Sequence, residues 1–325
     1  MPLSGRMDLS ARPSVPLDRD AEIGAGAMSG AFWAAASGVG FGAFQTVNRR
    51  AVARMDVFLA TLIQLAVALA VLAALVGATS ERERLESIPA AALGWFALGG
   101  AAHFFVGWTL LNISQQRIGA ARTSPLIATV PVFGAAIAAV TLGELPSALS
   151  WLGIALITLG AYVVSAERLL RGRVALSSSV STRESVYGIG CAAAWSLSPV
   201  FIRKGLDLFD APLLGVAIGL AGSLAVYVVV LATGNHGWSG RSLGDALGLK
   251  VLAGVLVALS TWGRWVALER ISVGAVLALG LMSVPVVLLL SPVLMGREVE
   301  RVNVWVWLGA ALVVGGSLLL VIRGR

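Results

Sequence analysis

Apolar residues along this chain run in long blocks separated by short charged connectors. A helix rises about 1.5 Å per residue, so about 20 apolar residues cross the hydrocarbon core of a bilayer. Ten such windows can be drawn, at 28–47, 57–77, 90–112, 120–141, 148–166, 186–202, 212–232, 247–268, 273–295 and 303–322. The fold class this pattern predicts is an all-α integral membrane protein with ten transmembrane helices. Two windows are interrupted, the fourth by Arg122 and Pro131 and the ninth by Pro285. The longest connector, 167–185, holds Arg168, Arg171, Arg173 and the serines Ser177, Ser178 and Ser179, and reads as a linker. Residues 1–27 mix Arg6, Arg12 and Arg19 with Asp8, Asp18, Asp20 and Glu22 and lack an apolar core. They are expected to form a disordered tail rather than a signal peptide.

Composition supports lipid as the surrounding medium. Hydrophobic residues make up 58% of the chain and charged residues 13%, against about 25% charged in soluble domains. Mean hydropathy is +0.88. The 38 glycines suit close helix packing in a bilayer. The net charge of +7 comes from bases in connectors and tails, which implies contact with lipid headgroups and gives no support to nucleic-acid binding. A single cysteine, Cys191, excludes an intrachain disulfide framework and any multi-cysteine metal site. With His103 and His236 the only histidines and no carboxylate pair inside a window, no nucleophile–base or metal constellation is present in the sequence. Neither enzymatic activity, nor a cofactor, nor a metal is expected.

The chain also repeats itself. Arg49-Arg50 returns as Arg203-Lys204, an offset of 154 residues (203 minus 49). The same offset carries Asp56 onto Asp210, Trp108 onto Trp262, Glu144 onto Glu298, and Thr129-Val130-Pro131-Val132 onto Ser283-Val284-Pro285-Val286. After a two-residue insertion Trp151-Leu152-Gly153 recurs as Trp307-Leu308-Gly309. The boundaries follow: a first repeat over 28–166, a linker over 167–185 and a second repeat over 186–325. Five helices per repeat is an odd number, so the second copy starts on the opposite side of the membrane. Inverted repeats of this kind are common in secondary transporters, because two similar halves can exchange conformations at similar energy. Bases divide ten to twelve between the two sides, which leaves absolute orientation open.

The stretch from Pro131 to Val164, with Leu142-Gly143-Glu144, Trp151-Leu152-Gly153 and Gly160, resembles the end of an EamA domain. That domain is the unit duplicated in the drug/metabolite transporter superfamily. The second half repeats the pattern as Pro285, Arg297-Glu298, Trp307-Leu308-Gly309 and Gly316, and Trp195-Ser196 through Arg203-Lys204 resembles the first helix of such a unit. The first half has Phe41-Gly42 where a tryptophan is common, and the second has Arg297 where glycine is expected. The resemblance implies a ten-helix carrier with a central cavity, moving metabolites such as amino acids, in the inner membrane if the source is bacterial. Lipid and a small solute are the expected partners, and a homodimer is one open assembly state.

Candidate site residues come from polar and aromatic groups inside the windows. Ser37, Phe41, Gln45 and Asn48 share one face of the first helix, for hydrogen bonding either to a solute or between helices. Trp108, Asn112 and Gln115 share a face of the third helix, with Trp262 equivalent to Trp108 in the eighth. His103 lies about 140° away from Trp108 at 100° per residue, on the type of face that carries Arg264 in the second repeat. Both faces cannot point squarely inward on regular helices. The cost of showing charge to lipid favours His103 and Arg264 inward, while an aromatic belt accounts for the tryptophans and snorkelling is the alternative for Arg264. His103 is either a proton relay or a neutral packing residue. Trp195 joins the solute-binding candidates. Pro131 and Pro285, with Thr129 and Ser283 two residues before them, are candidates for a hinge, a cavity wall or a static kink. Glu144 and Glu298 suit positive helix ends, and Gly38–Gly42 and Gly215–Gly219 suit close packing.

All seventeen acidic residues fall in tails, connectors or helix ends. A solute that is neutral, zwitterionic or anionic is therefore favoured over a cation, with Arg264 as a carboxylate partner. The function expected from the sequence is a secondary transporter for an amino-acid-like metabolite working by alternating access. The alternative is a membrane sensor or assembly subunit without transport.

Overall fold

A computed structural model describes residues 19–52, 57–118, 126–127, 129–171, 182–233, 244–295 and 304–322. Glu298, Arg297, Arg122, His236, the first eighteen residues and the middle of the expected linker lie outside the described residues. All regular structure among the described residues is helical. The first helix, α1 (Arg19–Val52), starts nine residues before Met28. It is followed by α2 (Val57–Ala78), a 3₁₀ segment (Ser80–Ser87) and α3 (Ala90–Gly100). A π-helical segment (Ala101–Gly107) joins α3 to α4 (Trp108–Ile118) without a break. Then come α5 (Val130–Leu142), α6 (Ala148–Arg171), α7 (Thr182–Leu208) and α8 (Pro212–Thr233). The chain closes with α9 (Gly244–Arg270), α10 (Val273–Gly280), α11 (Ser283–Met295) and α12 (Val304–Ile322).

Among the described residues, five stretches are long and apolar enough to cross a bilayer: Phe58–Ala78, Ala90–Leu111, Ser185–Leu208, Pro212–Thr233 and Ala246–Arg270. Val130–Leu142, Ala148–Val163, Val273–Val287 and Trp307–Gly316 are shorter apolar stretches. Side chains such as Val140, Val229, Leu289, Val293 and Trp305 stand exposed on the outside of the bundle. A continuous apolar exterior of this kind needs lipid, and the chain is an integral membrane protein.

Glycines set the helix contacts. α1 runs antiparallel to α9, with Gly30 against Ile271 at one end and Gly40 against Ser260 further along. α7 lies antiparallel to α3 and the π segment, where Gly99 meets Ile202 and Gly107 meets the Trp195 ring. α6 packs on α12 through two close approaches: a Cβ on Gly160 would fall 2.5 Å from the Gly309 carbonyl oxygen, and one on Gly316 would fall 2.7 Å from that of Gly153. Backbones can come this close only where the side chain is a hydrogen atom. The Gly38–Gly42 pair brings α1 against the Leu279 and Ser283 carbonyls, and Gly219 meets Gly100 backbone to backbone.

The prolines sit differently from a mid-helix kink. Pro131 occupies the first turn of α5, and Pro285 is the third residue of α11, just after the turn at Leu281 and Met282 that separates α10 from α11. Proline at a helix start removes an N–H that has no intrahelical acceptor, so the chain is broken before each proline rather than bent around it. α7 carries a proline in its interior, Pro199.

Glutamates outside the spans cap helices of other segments. Glu144 Oε2 accepts from the Val273 backbone N–H at 2.7 Å, at the start of α10, and its other oxygen lies 3.6 Å from Arg203. Glu81 Oε2 accepts from the Leu214 N–H at 2.8 Å, at the start of α8. Each places a carboxylate on the positive end of a helix dipole.

Candidate functional site

The inward face of α1 organises the interior. Phe32, Ala36 and Val39 form its exposed outer stripe. Ser37, Phe41, Gln45 and Asn48 lie on the opposite side, with Gln45 about 220° round from Phe32 at 100° per residue. Ser37 is buried and its hydroxyl donates to the Ser260 carbonyl at 2.7 Å, so this candidate ties α1 to α9. Phe41 lies under the Arg264 guanidinium, with the central carbon 4.9 Å from the ring centroid. Gln45 is exposed even though it stands on the packed side of its helix. Its amide therefore opens onto a space between helices rather than onto lipid.

Arg264 turns inward. A Cβ added at Gly280 would lie 2.8 Å from Arg264 Nη2, so the guanidinium reaches the end of α10 at the helix break. Its buried Nε has no hydrogen-bond partner, and no carboxylate pairs with it among the described residues. A half-buried guanidinium with a buried, unpartnered Nε is suited to bind an acceptor such as a carboxylate.

His103 is 4% exposed. Its Nδ1 lies 3.0 Å from Ser198 Oγ, and the Trp195 ring stacks on the imidazole at 5.5 Å between centroids. The Trp195 indole N–H donates to the His103 carbonyl at 3.2 Å. This group forms where the π segment between α3 and α4 crosses α7 next to Pro199.

Trp108 is also buried, at 6%, stacked on Phe44 with centroids 5.6 Å apart. The sequence placed His103 and Trp108 on conflicting faces of a regular helix. The π segment between them removes the conflict, since its wider turn rotates less per residue and brings both toward the interior. In the second repeat α9 has no such segment, and Trp262 is only half-buried, packed on Trp33 at 5.8 Å. Equivalent tryptophans thus have different surroundings.

Thr129 donates to the Leu126 carbonyl at 2.5 Å, ahead of Pro131, and Ser283 is buried beside Gly42 at the α10–α11 turn. These four candidates stand at helix breaks, Pro131 and Ser283 buried and Thr129 and Pro285 partly so.

One polar group was not picked out from the sequence. Lys250 of α9 is 1% exposed and donates to Gln64 Oε1 of α2 at 2.6 Å and to Asn48 Oδ1 of α1. A lysine six residues into a helix reads as one that snorkels to the headgroups. The available signal was its coincidence with Gln64, the one amide side chain in the second apolar window. No cluster of histidine, cysteine and acidic residues able to hold a metal occurs among the described residues.

Comparison with known proteins places this arrangement in context. Residues 28–166 match the EamA-like transporter family. A curated relative from Sinorhizobium sp., described as an uncharacterized transporter in the cobO 3′ region, is 34% identical over 139 residues, covering 41% of this chain and 94% of that protein. A crystal structure at 17% identity superposes with a TM-score of 0.65, covering 89% of this chain and 98% of that one, and this likeness carries the fold alone.

Proposed function

Because the chain belongs to the EamA-like transporter family, we propose that it is a secondary transporter moving a small zwitterionic, anionic or neutral metabolite of amino-acid-like size by alternating access. The observation that carries the substrate class is Arg264. It is an inward-turned cation without an ion-pair partner among the described residues, set beside a helix break on a chain whose acids lie at helix ends and connectors. A carboxylate completes its hydrogen bonding, whereas a cationic solute meets repulsion there. Gln45, opening from the packed side of α1, supplies a neutral donor and acceptor to the same solute. Trp195 and His103 form an aromatic wall, and Trp108 adds a second.

Alternating access follows from a ten-helix reading with two inverted halves. Support comes from the way helix contacts exchange under the repeat offset. The packing of α1 on α9 has its counterpart in α7 on α3 and the π segment, and that of α1 on α10 and α11 in α7 on α5. The Gly160–Gly309 and Gly316–Gly153 approaches are each other's counterparts, the reciprocal pattern of a two-fold axis. The Sinorhizobium relative, aligned along nearly all its own length to two-fifths of this chain, is of single-repeat size. Two halves related in this way can trade conformations, closing one side while opening the other.

Uptake into proteoliposomes of a labelled panel of amino acids, carboxylates, amines and neutral polyols tests the reading. Saturable uptake of carboxylate-bearing solutes, lost in Arg264→Leu, is expected. Preference for amines would overturn the substrate class. No flux for any class by a folded protein would overturn transport in favour of a sensor or assembly subunit.

A further inference from the structure

We infer that Lys250 and Gln64 form a second recognition point for a carboxylate, separate from Arg264 on the same face of α9. The inference rests on the transporter reading and names a distinct station within it.

Fourteen residues separate Lys250 from Arg264, which is about 21 Å along a helix and about 40° around it. The two cations therefore share one stripe, with Val257 and Thr261 between them, too far apart to hold one small carboxylate together. Lys250 is almost wholly buried and donates to two neutral amide oxygens, with no carboxylate pairing to it among the described residues. An ammonium carries three N–H donors, and two are used. Gln64, 1% exposed, gives its oxygen to Lys250 and leaves its buried Nε2 without a partner. One ammonium N–H and an amide NH₂ thus stand close together as donors with no matching acceptor. The group that satisfies them is an anion with two acceptor oxygens.

Gln64 also lines a cavity of about 10 Å³, close to the size of one water. Leu65, Ala68 and Val257 give it an aliphatic wall, Phe104 and Trp108 an aromatic one, and Thr261 its other polar group. As it stands this space admits no solute side chain, so the class of ligand rests on the two donors and not on the shape of the cavity.

Packing alone does not require the charge. The positions 154 residues from Lys250, Asn48 and Gln64 are Phe96, Ile202 and Ile218, so the corresponding junction in the other half is wholly apolar. Phe96 and Ile202 are fully buried there. A buried lysine is costly to hold without an anion, and apolar replacement of buried charge is often neutral or stabilising. The polar version at Lys250 is thus explained by binding and not by folding.

The test uses purified full-length protein in detergent, with the unfolding midpoint followed against isovalerate, leucine, isovaleramide and leucinamide. Wild type is compared with Lys250→Met, Gln64→Glu and Arg264→Leu, and flux of the same four probes is measured in proteoliposomes. Gln64→Glu guards against misfolding, since its own carboxylate fills the site and pairs with Lys250. Isovalerate, leucine or both are expected to raise the wild-type midpoint while the two amides do not. Lys250→Met and Gln64→Glu are expected to weaken that effect at least tenfold in apparent affinity, with Gln64→Glu unfolding no earlier than wild type. A carboxylate response that survives both variants, that is matched by isovaleramide, or that disappears only in Arg264→Leu overturns the assignment and leaves transport standing. Saturable flux without any carboxylate response of the midpoint also overturns it. A Lys250-dependent response in a protein that carries no flux upholds the site and overturns the transporter reading.

Discussion

The imidazole of His103 and the hydroxyl of Ser198 meet at 3.0 Å inside the bundle, joining the π segment between α3 and α4 to α7 beside Pro199. The contact holds the ring under Trp195, whose indole in turn bonds the His103 backbone. Removing the hydroxyl in Ser198→Ala leaves Nδ1 without its observed partner in a buried setting, which costs about 1–3 kcal/mol. A lowered unfolding midpoint together with reduced solute affinity is expected. Unchanged values in both thermal unfolding and uptake would remove this pair from the site.

Gly280 is expected to be as sensitive as the arginine it faces. Its missing side chain leaves room for Arg264, since a Cβ there would come within 2.8 Å of Nη2. Gly280→Ala should displace the guanidinium and raise KM for carboxylate solutes about tenfold, equivalent to about 1.4 kcal/mol, with secondary structure by circular dichroism unchanged. Arg264→Lys keeps the charge but loses the planar fork over Phe41, and is expected to fall between wild type and Arg264→Leu in uptake.

The α6–α12 contact makes a prediction about stability alone. Gly160→Ala and Gly316→Ala each force a methyl against a backbone carbonyl and should each cost about 1–3 kcal/mol. Both changes push the same two helices apart, so the double variant is expected to lose less than the two single losses combined. Unfolding midpoints of the three proteins in one detergent decide this, and strict additivity would contradict a shared interface.

Glu144 joins segments far apart in sequence through the start of α10. Glu144→Ala leaves the Val273 N–H without its acceptor and Arg203 without one of its two carboxylate neighbours. A loss of about 1 kcal/mol in stability is expected. Glu144→Gln, which keeps an acceptor oxygen, should recover part of it. Equal destabilisation by the two substitutions would mean that charge, rather than the hydrogen bond, does the capping.

Apolar block length made the membrane setting legible, because hydrocarbon thickness ties span length to residue count. The 154-residue offset paired positions in the two halves of the chain, since residues in a repeating pattern keep their order whatever their contacts. Phe41, Gln45 and Asn48 could be put on one face by helical periodicity, and the structure separates their surroundings: an arginine over one ring, an open space by one amide, a lysine on the other.

What the sequence could not supply depended on departures from regular helix and on neighbours distant in the chain. The π segment turns both His103 and Trp108 inward, and it arises from packing against α7 and α8 that no local propensity records. The prolines mark positions where helices start again, which is a property of the preceding turn and not of proline itself. Lys250 looks like a snorkelling base from its place in α9, and only the approach of α1 and α2 turns it into a buried donor. Periodicity determines which face a side chain occupies; which helix comes to meet that face is settled by the whole bundle, where long-range packing outweighs the cost of burying a single charge.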